Sequence, residues 1–176
     1  MFQTLQYKTD GFSKNCSIAK ENTIAGYMIK SSLFGKVYDL NIHDDLYIIE
    51  TSGWWSPEIK LIDRVTKNVL ITARVHQSFN FINIKARAVS NTGNVYVYSE
   101  NRLLNKYWKW SKDETTVVRS VENNYISNIT GQIMVNQENH ENELLSTLGI
   151  HIRFSVERHS IFTYLAIFSY LVFLFR

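Results

Sequence analysis

The strongest candidates for binding chemistry in this chain are the cationic side chains of the stretch 102–119. Five cations there exceed the two carboxylates by three charges, which equals the net charge of +3 of the whole chain. Near an anionic lipid surface each such residue contributes about 1 kcal/mol of binding free energy. The sequence therefore predicts an anion-binding patch formed by Arg102, Lys106, Lys109, Lys112 and Arg119.

Two tryptophans lie within this stretch. Trp108 and Trp110 alternate with Lys109, so on a β-strand both indoles share one face and Lys109 takes the other. Tryptophan beside lysine is typical of a membrane interface. The alternative is that the indoles face the protein core while the lysines are solvated, since alternation commonly marks a half-buried strand.

A second tryptophan pair, Trp54 and Trp55, falls in a predicted loop between Gly53 and Pro57. Adjacent indoles in a loop either insert at a lipid interface or cover an open barrel end, because each is a large apolar surface with a polar tip. We include Trp54 and Trp55 in the predicted lipid-binding set.

The remaining reactive side chains show no catalytic or metal-binding pattern. The five histidines lack metal-ligand spacing, the single cysteine, Cys16, has no feature that favours a thiolate, and no glycine-rich phosphate loop occurs. The sequence predicts no metal, no cofactor and no enzymatic activity. The alternative is an enzyme of unrecognised type in an open barrel end.

Composition limits the protein class. The 176 residues are enough for one domain, and 45% apolar residues exclude a disordered chain. A net charge of +3 is far below that of a dedicated nucleic-acid binder, so we expect no nucleic-acid partner. Residues 1–20 lack the apolar core of a signal peptide, and this favours an intracellular location.

Short β-rich runs follow one another through most of the chain. Several alternate polar and apolar residues, the period of a half-buried strand, and about twelve at regular spacing predict an antiparallel sandwich or barrel. The predicted strands are 24–30, 36–40, 46–51, 58–63, 69–74, 79–85, 95–100, 106–111, 115–121, 125–129, 132–135 and 149–156.

Residues 149–156 fit two patterns. Four apolar residues alternate strictly there, which predicts a strand. The same region is helical if Leu144, Leu148, Ile152 and Val156 are read at a spacing of four. We favour the strand, because Ile150 and Phe154 would lie on the opposite face of that helix.

Residues 160–175 form a run without charge before Arg176. Apolar on every side, this run is not typical of a surface helix. Its sixteen residues fall short of the about 20 that cross a bilayer. A barrel of about a dozen strands is too wide for side chains alone to fill, so a central apolar helix suits its lumen.

The order of these elements resembles the tubby-like superfamily, and within it the phospholipid scramblase branch. Residues 148–156 look like the family's last strand, and residues 157–176 look like its terminal hydrophobic helix. Residues 61–70 are similar to a family hairpin in which an Ile-Asp pair precedes a turn. Residues 95–118 resemble the middle hairpin, where a tryptophan-bearing strand precedes a charged turn. The resemblance covers residues 24–176.

The resemblance implies a single domain over residues 1–176, mainly β: a closed antiparallel barrel of about twelve strands within 1–157, with the hydrophobic helix 158–176 through its centre. It also implies a non-enzymatic, peripheral membrane module. Tubby-type domains bind anionic phosphoinositide headgroups through basic residues, so the expected partner is an anionic phospholipid surface. The family's acidic calcium segment has no counterpart beyond Glu141 and Glu143, and calcium binding is not carried over.

A second hypothesis treats residues 160–175 as a C-terminal membrane anchor. Arg158 and His159 on one flank and Arg176 on the other are compatible with it. The protein would then be tail-anchored, and its β-domain would be a protein-interaction module.

Overall fold

The computed structural model of the protein describes residues 2–9, 15–31, 36–53, 56–77, 83–101, 107–122, 130–136 and 139–153. These residues form twelve β-strands and one helix. The strands are β1 (Phe2–Thr9), β2 (Cys16–Lys20), β3 (Thr23–Lys30), β4 (Val37–Ile42), β5 (Asp45–Ser52), β6 (Glu58–Asp63), β7 (Val69–Gln77), β8 (Asn83–Ser90), β9 (Val95–Asn101), β10 (Trp108–Lys112), β11 (Thr115–Glu122) and β12 (Thr130–Asn136). The helix, α1, spans residues 140–153.

Each strand pairs antiparallel with its neighbours in the chain, and β1 pairs with β12 to close the barrel. At this seam Tyr7 lies opposite Gly131 in the register, and its ring occupies the space that a side chain at Gly131 would need. The Tyr7 hydroxyl lies 3.4 Å from Ser120 Oγ on β11. The pairing of β1 with β12 thus leaves no open sheet edge at the seam, and the Tyr7 ring packs across it.

Alternating burial sets the inner and outer faces of the wall. Along β8, Ile84, Ala86 and Ala88 are buried, whereas Lys85 and Arg87 between them are exposed. Successive side chains of a strand point to opposite faces of a sheet. The apolar members of β8 therefore line the barrel interior, and its charged members lie outside.

The helix α1 lies inside the barrel. Every residue from 144 to 152 is buried. His151 contacts Tyr38 of β4 edge-on, with ring centroids 4.8 Å apart, and Gly149 lies against the Trp108 indole of β10. Because β4 and β10 are six strands apart in a closed ring of twelve, these contacts join α1 to opposite walls. The predicted fold class, a closed antiparallel barrel of about twelve strands with a C-terminal helix, is confirmed. The helix that the structure describes is 140–153, whereas the predicted hydrophobic helix 158–176 lies outside the described residues.

The strand predicted for residues 149–156 is wrong over its described part, because residues 149–153 belong to α1. The last strand that the structure describes, β12, ends at Asn136. The prediction assumed that a helix buries only one face, so that Ile150 would be exposed to solvent on the opposite face. Inside a barrel every face of a helix is buried, and Ile150 is 1% exposed. The i+4 alternative was the correct one.

Further differences concern the two ends of the chain. The sequence analysis assigned no strand before residue 24, yet β1 and β2 lie there and complete the barrel. The predicted strand 125–129 and the apolar run 160–175 lie outside the described residues.

Polar contacts hold both ends of α1 to strand β9. Near its start, the Glu141 carboxylate accepts hydrogen bonds from the Tyr96 hydroxyl at 2.6 Å, the Asn94 amide at 3.0 Å and the Thr92 hydroxyl at 2.6 Å. At its end, Arg153 Nη1 lies 3.3 Å from Glu100 Oε1. These polar contacts therefore fix the position of the helix along the barrel axis, in addition to its apolar packing.

Candidate functional site

The outer wall of β8 to β11 carries a row of polar side chains in register. Lys85 on β8 pairs with Ser99 on β9, Ser99 pairs with Lys109 on β10, and Lys109 pairs with Arg119 on β11. Paired residues in adjacent strands lie about 5 Å apart and project from the same face. Three cations from distant parts of the sequence thus meet on one surface.

Arg87 extends this row along β8, where it is exposed two residues beyond Lys85. We call Lys85, Arg87, Lys109 and Arg119 the basic strip. Between Asn83 and Val121, the outward strand positions that the structure describes contain no Asp or Glu. They are Asn83, Lys85, Arg87, Val89, Val95, Val97, Ser99, Asn101, Lys109, Ser111, Arg119 and Val121.

The neighbouring cation Arg74 differs from the strip. It lies opposite Arg87 in the register, but its Nε donates a 3.0 Å hydrogen bond to the Glu58 carboxylate. Glu58 also lies 3.5 Å from Lys60 Nζ. Charges on β6 and β7 are therefore mutually compensated, whereas the outward strand positions around the basic strip, where the structure describes them, hold no carboxylate.

A cleft of about 130 Å³ opens at one end of the basic strip. Its lining comes from the start of β8, the end of β9 and the approach to β10. The donor-bearing members are Asn83, Lys85, Ser99, Asn101, Tyr107 and Lys109, and Ile84 and Glu100, whose side chains are buried, complete it. Ammonium, amide and hydroxyl groups are hydrogen-bond donors. The cleft is therefore suited to an anion with several acceptor oxygens.

An aromatic contact orders the far side of this cleft. The Arg119 guanidinium lies over the Tyr107 ring, 4.9 Å from its centroid, a distance at which a cation is attracted to the ring face. Arg119 is exposed and Tyr107 is half-buried. The contact restricts the Arg119 side chain close to the wall, where it adds charge beside Lys109.

The inner side of the same wall carries a carboxylate. Glu100, 6% exposed, follows Ser99 in the chain and also lines the cleft. Its Oε2 accepts a hydrogen bond from the Tyr98 hydroxyl at 2.9 Å, and its Oε1 lies 3.3 Å from Arg153 of α1. A buried carboxylate requires such partners, because removing its charge from water is unfavourable.

Of the predicted site residues, the structure brings Lys109 and Arg119 together as cross-strand neighbours. Lys112 lies at the other end of β10, where its Nζ donates a 2.8 Å hydrogen bond to Asn94 Oδ1, so it supports the turn that holds Glu141. Four further predicted residues lie outside the described part of the chain: Arg102, Lys106, Trp54 and Trp55.

The tryptophans that flank Lys109 face inward. Trp108 is 1% exposed and Trp110 is 0% exposed, and both pack on the Tyr98 ring, at centroid distances of 5.8 Å and 5.2 Å. Their role as membrane-facing indoles is therefore wrong, and the core alternative is confirmed. The aromatic side chain that the structure places beside Arg119 at the cleft is Tyr107.

Sequence reasoning missed Lys85 and Arg87, although a signal for them was present. In residues 83–90 the polar and apolar residues alternate, which would have placed both cations on the outer face of a strand. Their proximity to Lys109 and Arg119 had no such signal, because it depends on which strands are neighbours and in what register.

Other reactive groups have structural environments. Burial raises the pKa of the Cys16 thiol to about 12, which makes it unreactive as a nucleophile. Within the described ranges, no three His, Cys, Asp or Glu side chains are grouped so that they could hold a metal ion. In the part of the chain that the structure describes, no helix has both the length and the apolar character needed to cross a membrane.

Comparisons of this chain with family models, with curated proteins and with solved structures find no match. The resemblance to the tubby-like superfamily therefore stays a prediction, and residues 148–153, the described part of the segment expected to match its last strand, are helical.

Proposed function

We propose that this protein binds anionic phospholipid surfaces through the basic strip on the outer wall of its barrel, as a non-enzymatic module. The single observation that carries the proposal is the gathering of Lys85, Arg87, Lys109 and Arg119 on one wall, among described outward strand positions that contain no carboxylate. A surface with this charge pattern attracts a negatively charged plane.

The magnitude of the attraction favours reversible binding. Each basic residue near an anionic leaflet contributes about 1 kcal/mol, so four residues contribute a few kcal/mol, and screening by salt limits the range to about 10 Å. The cations project from the strands of a closed barrel, so binding orders their side chains but does not have to order the backbone. This supports a peripheral association that weakens steeply as the ionic strength rises.

The barrel interior supports a binding role on the outside. Aromatic side chains such as Trp108, Trp110 and Tyr98 fill the lumen together with α1. The cleft beside Ser99 opens outward and is lined by donors. The filled lumen therefore favours ligand binding on the outer wall.

The experiment is a vesicle sedimentation assay with the full chain. Vesicles of phosphatidylcholine alone are compared with vesicles that also contain phosphatidylserine, at low and at high salt. We expect binding to the anionic vesicles, loss of binding at high salt, and no binding to the neutral vesicles. Replacing all four cations of the basic strip by glutamine should abolish binding.

A matched control removes the same number of charges elsewhere. Its four substitutions to glutamine leave the same net charge as the strip variant, and they are made at Lys8, Lys20, Lys60 and Lys67. If the control loses binding as much as the strip variant, net charge alone is responsible and the proposed site is refuted. Binding to duplex DNA without binding to anionic vesicles would also refute the proposal.

A further inference from the structure

The cleft over Ser99 combines two cations on its outer side with a carboxylate on its inner side. Lys85 and Lys109 lie on the strands to either side of Ser99, so their Cα atoms are roughly 10 Å apart, two strand spacings. Two lysine side chains, each with three N–H donors, can converge on one anion across this distance. Asn83 and Ser99 add an amide and a hydroxyl donor to the lining.

This donor set suits a phosphomonoester better than a phosphodiester. A phosphomonoester carries nearly two negative charges at neutral pH and three strong acceptor oxygens. A phosphodiester within a lipid headgroup carries one charge and two free oxygens. Two ammonium groups and two neutral donors match the charge and the acceptors of the monoester.

Glu100 opposes this binding unless it is neutralised. The residue belongs to the lining of the cleft. Its carboxylate lies on the inner face of the wall, one residue from Ser99, and would repel an anion across a medium less polar than water. Arg153 approaches it to 3.3 Å from inside the barrel, and arginine stays protonated at every relevant pH. With Glu100 and Arg153 paired, the cleft presents the charge of its two lysines.

We propose that the cleft binds one phosphomonoester group, and that Arg153 of the internal helix sets its affinity by neutralising Glu100 from inside the barrel. The proposal rests on the proposed function and specifies its ligand. Arg153 acts through Glu100 and does not touch the ligand. Because binding couplings are reciprocal, a phosphomonoester in the cleft also stabilises the seated position of α1.

The experiment compares vesicles containing phosphatidic acid with vesicles containing phosphatidylserine, matched in total negative charge. The wild-type chain should bind the phosphatidic acid vesicles about tenfold more tightly, and glycerol 3-phosphate should compete for this difference. If glycerol 3-phosphate binds as tightly as the vesicles do, the ligand is a soluble phosphate ester and the lipid source is excluded.

Three variants test the internal arginine. Arg153→Met removes the cation that lies 3.3 Å from the Glu100 carboxylate and should reduce the preference for phosphatidic acid. Glu100→Gln keeps the cation and should tighten phosphomonoester binding several-fold, a gain that a damaged fold does not produce. The double variant Glu100→Gln with Arg153→Met should restore the wild-type preference. Thermal unfolding of each variant identifies the temperature range in which it is folded.

The outcomes separate the two proposals. Equal binding to both kinds of anionic vesicle overturns the phosphomonoester site and leaves the basic strip standing. A preference that Glu100→Gln leaves unchanged overturns the role of Arg153. Binding of glycerol 3-phosphate without binding to any anionic vesicle overturns the membrane function and retains the cleft.

Discussion

Gly149 of α1 lies flat against the six-membered ring of the Trp108 indole. A Cβ atom at residue 149 would overlap with Trp108 Cζ3, Cη2 and Cε3. Both residues are buried. This contact sets how closely the internal helix approaches β10, and no residue with a side chain fits there unless the indole moves.

Replacing Gly149 by alanine should destabilise the protein even though alanine favours a helix. The clash with the indole should cost about 1–3 kcal/mol, as overpacking of a core does, against a gain of about 1 kcal/mol from helix propensity. Urea unfolding followed by tryptophan fluorescence measures the balance, and we expect a lower midpoint.

A double-mutant cycle identifies the cause of that loss. Trp108→Phe removes the clashing ring, so Gly149→Ala should be less harmful in the Trp108→Phe background than in the wild type by more than the about 0.5 kcal/mol within which independent sites add. Equal losses in both backgrounds would mean that the two residues do not compete for space.

His151 should make the protein sensitive to mild acid. Burial lowers the pKa of this imidazole from 6.5 to about 4, while its Nε2 lies 2.8 Å from Thr51 Oγ1. Its stabilising effect is fully present above pH 6.5, the ordinary value, and is lost as the pH falls toward 4. The free energy of unfolding should fall there by up to about 1.4 kcal/mol per pH unit.

Urea unfolding at a series of pH values tests this. His151→Gln should flatten the dependence between pH 6.5 and about 4, because glutamine does not titrate. His76→Gln, at an exposed position on β7, is the matched control and should retain the wild-type slope. An unchanged slope in His151→Gln would assign the acid sensitivity to another group.

Glu141 should add a second loss of stability at lower pH. Burial acts to raise the pKa of this carboxyl, but hydrogen bonds from Thr92, Tyr96 and Asn94 outweigh burial and hold the pKa below its ordinary value of 4.5. A lowered pKa in the fold means that the stabilisation is present above 4.5 and disappears as the pH falls through the folded value.

Glu141→Gln should therefore lower stability at pH 7 and remove part of the loss that follows acidification below 4.5. The same unfolding series measures it, with Glu21→Gln at an exposed turn as the control. If Glu141→Gln is as stable as the wild type at pH 7, the three hydrogen bonds do not hold α1 in place.

A substitution in the turn between β10 and β11 should increase the stability of the protein. Asp113 and Glu114 adopt φ angles of 46° and 66°, and the left-handed region is unfavourable for a residue with a Cβ by about 1 kcal/mol or somewhat more. Glu114→Gly should raise the unfolding midpoint in urea. Glu114→Ala removes the same charge but keeps the Cβ, so a rise of equal size in that variant would refute the backbone explanation.

Local pattern alone predicted most strands of the wall. Residues 58–63 were predicted as a strand with the bounds that β6 has, because alternation there is regular and turn residues flank it. The strand β1 alternates in burial as regularly, yet it was missed, since polar residues such as Gln3 and Thr9 occupy its buried positions. These positions are buried because β1 pairs with β12 to close the barrel, and the local sequence pattern carries no information about that pairing.

The candidate site likewise has one part that the local sequence predicts and another that depends on contacts between distant residues. The sequence by itself determined that the protein is mainly β, with about twelve short strands, and that cations are concentrated near Lys109, because period and charge are properties of neighbouring residues. The tertiary structure alone decided that Trp108 faces inward, that Lys85 meets Lys109 across Ser99, and that residues 149–153 are helical. Each of these depends on strand register or on enclosure by the barrel, and both arise from contacts between residues far apart in the chain.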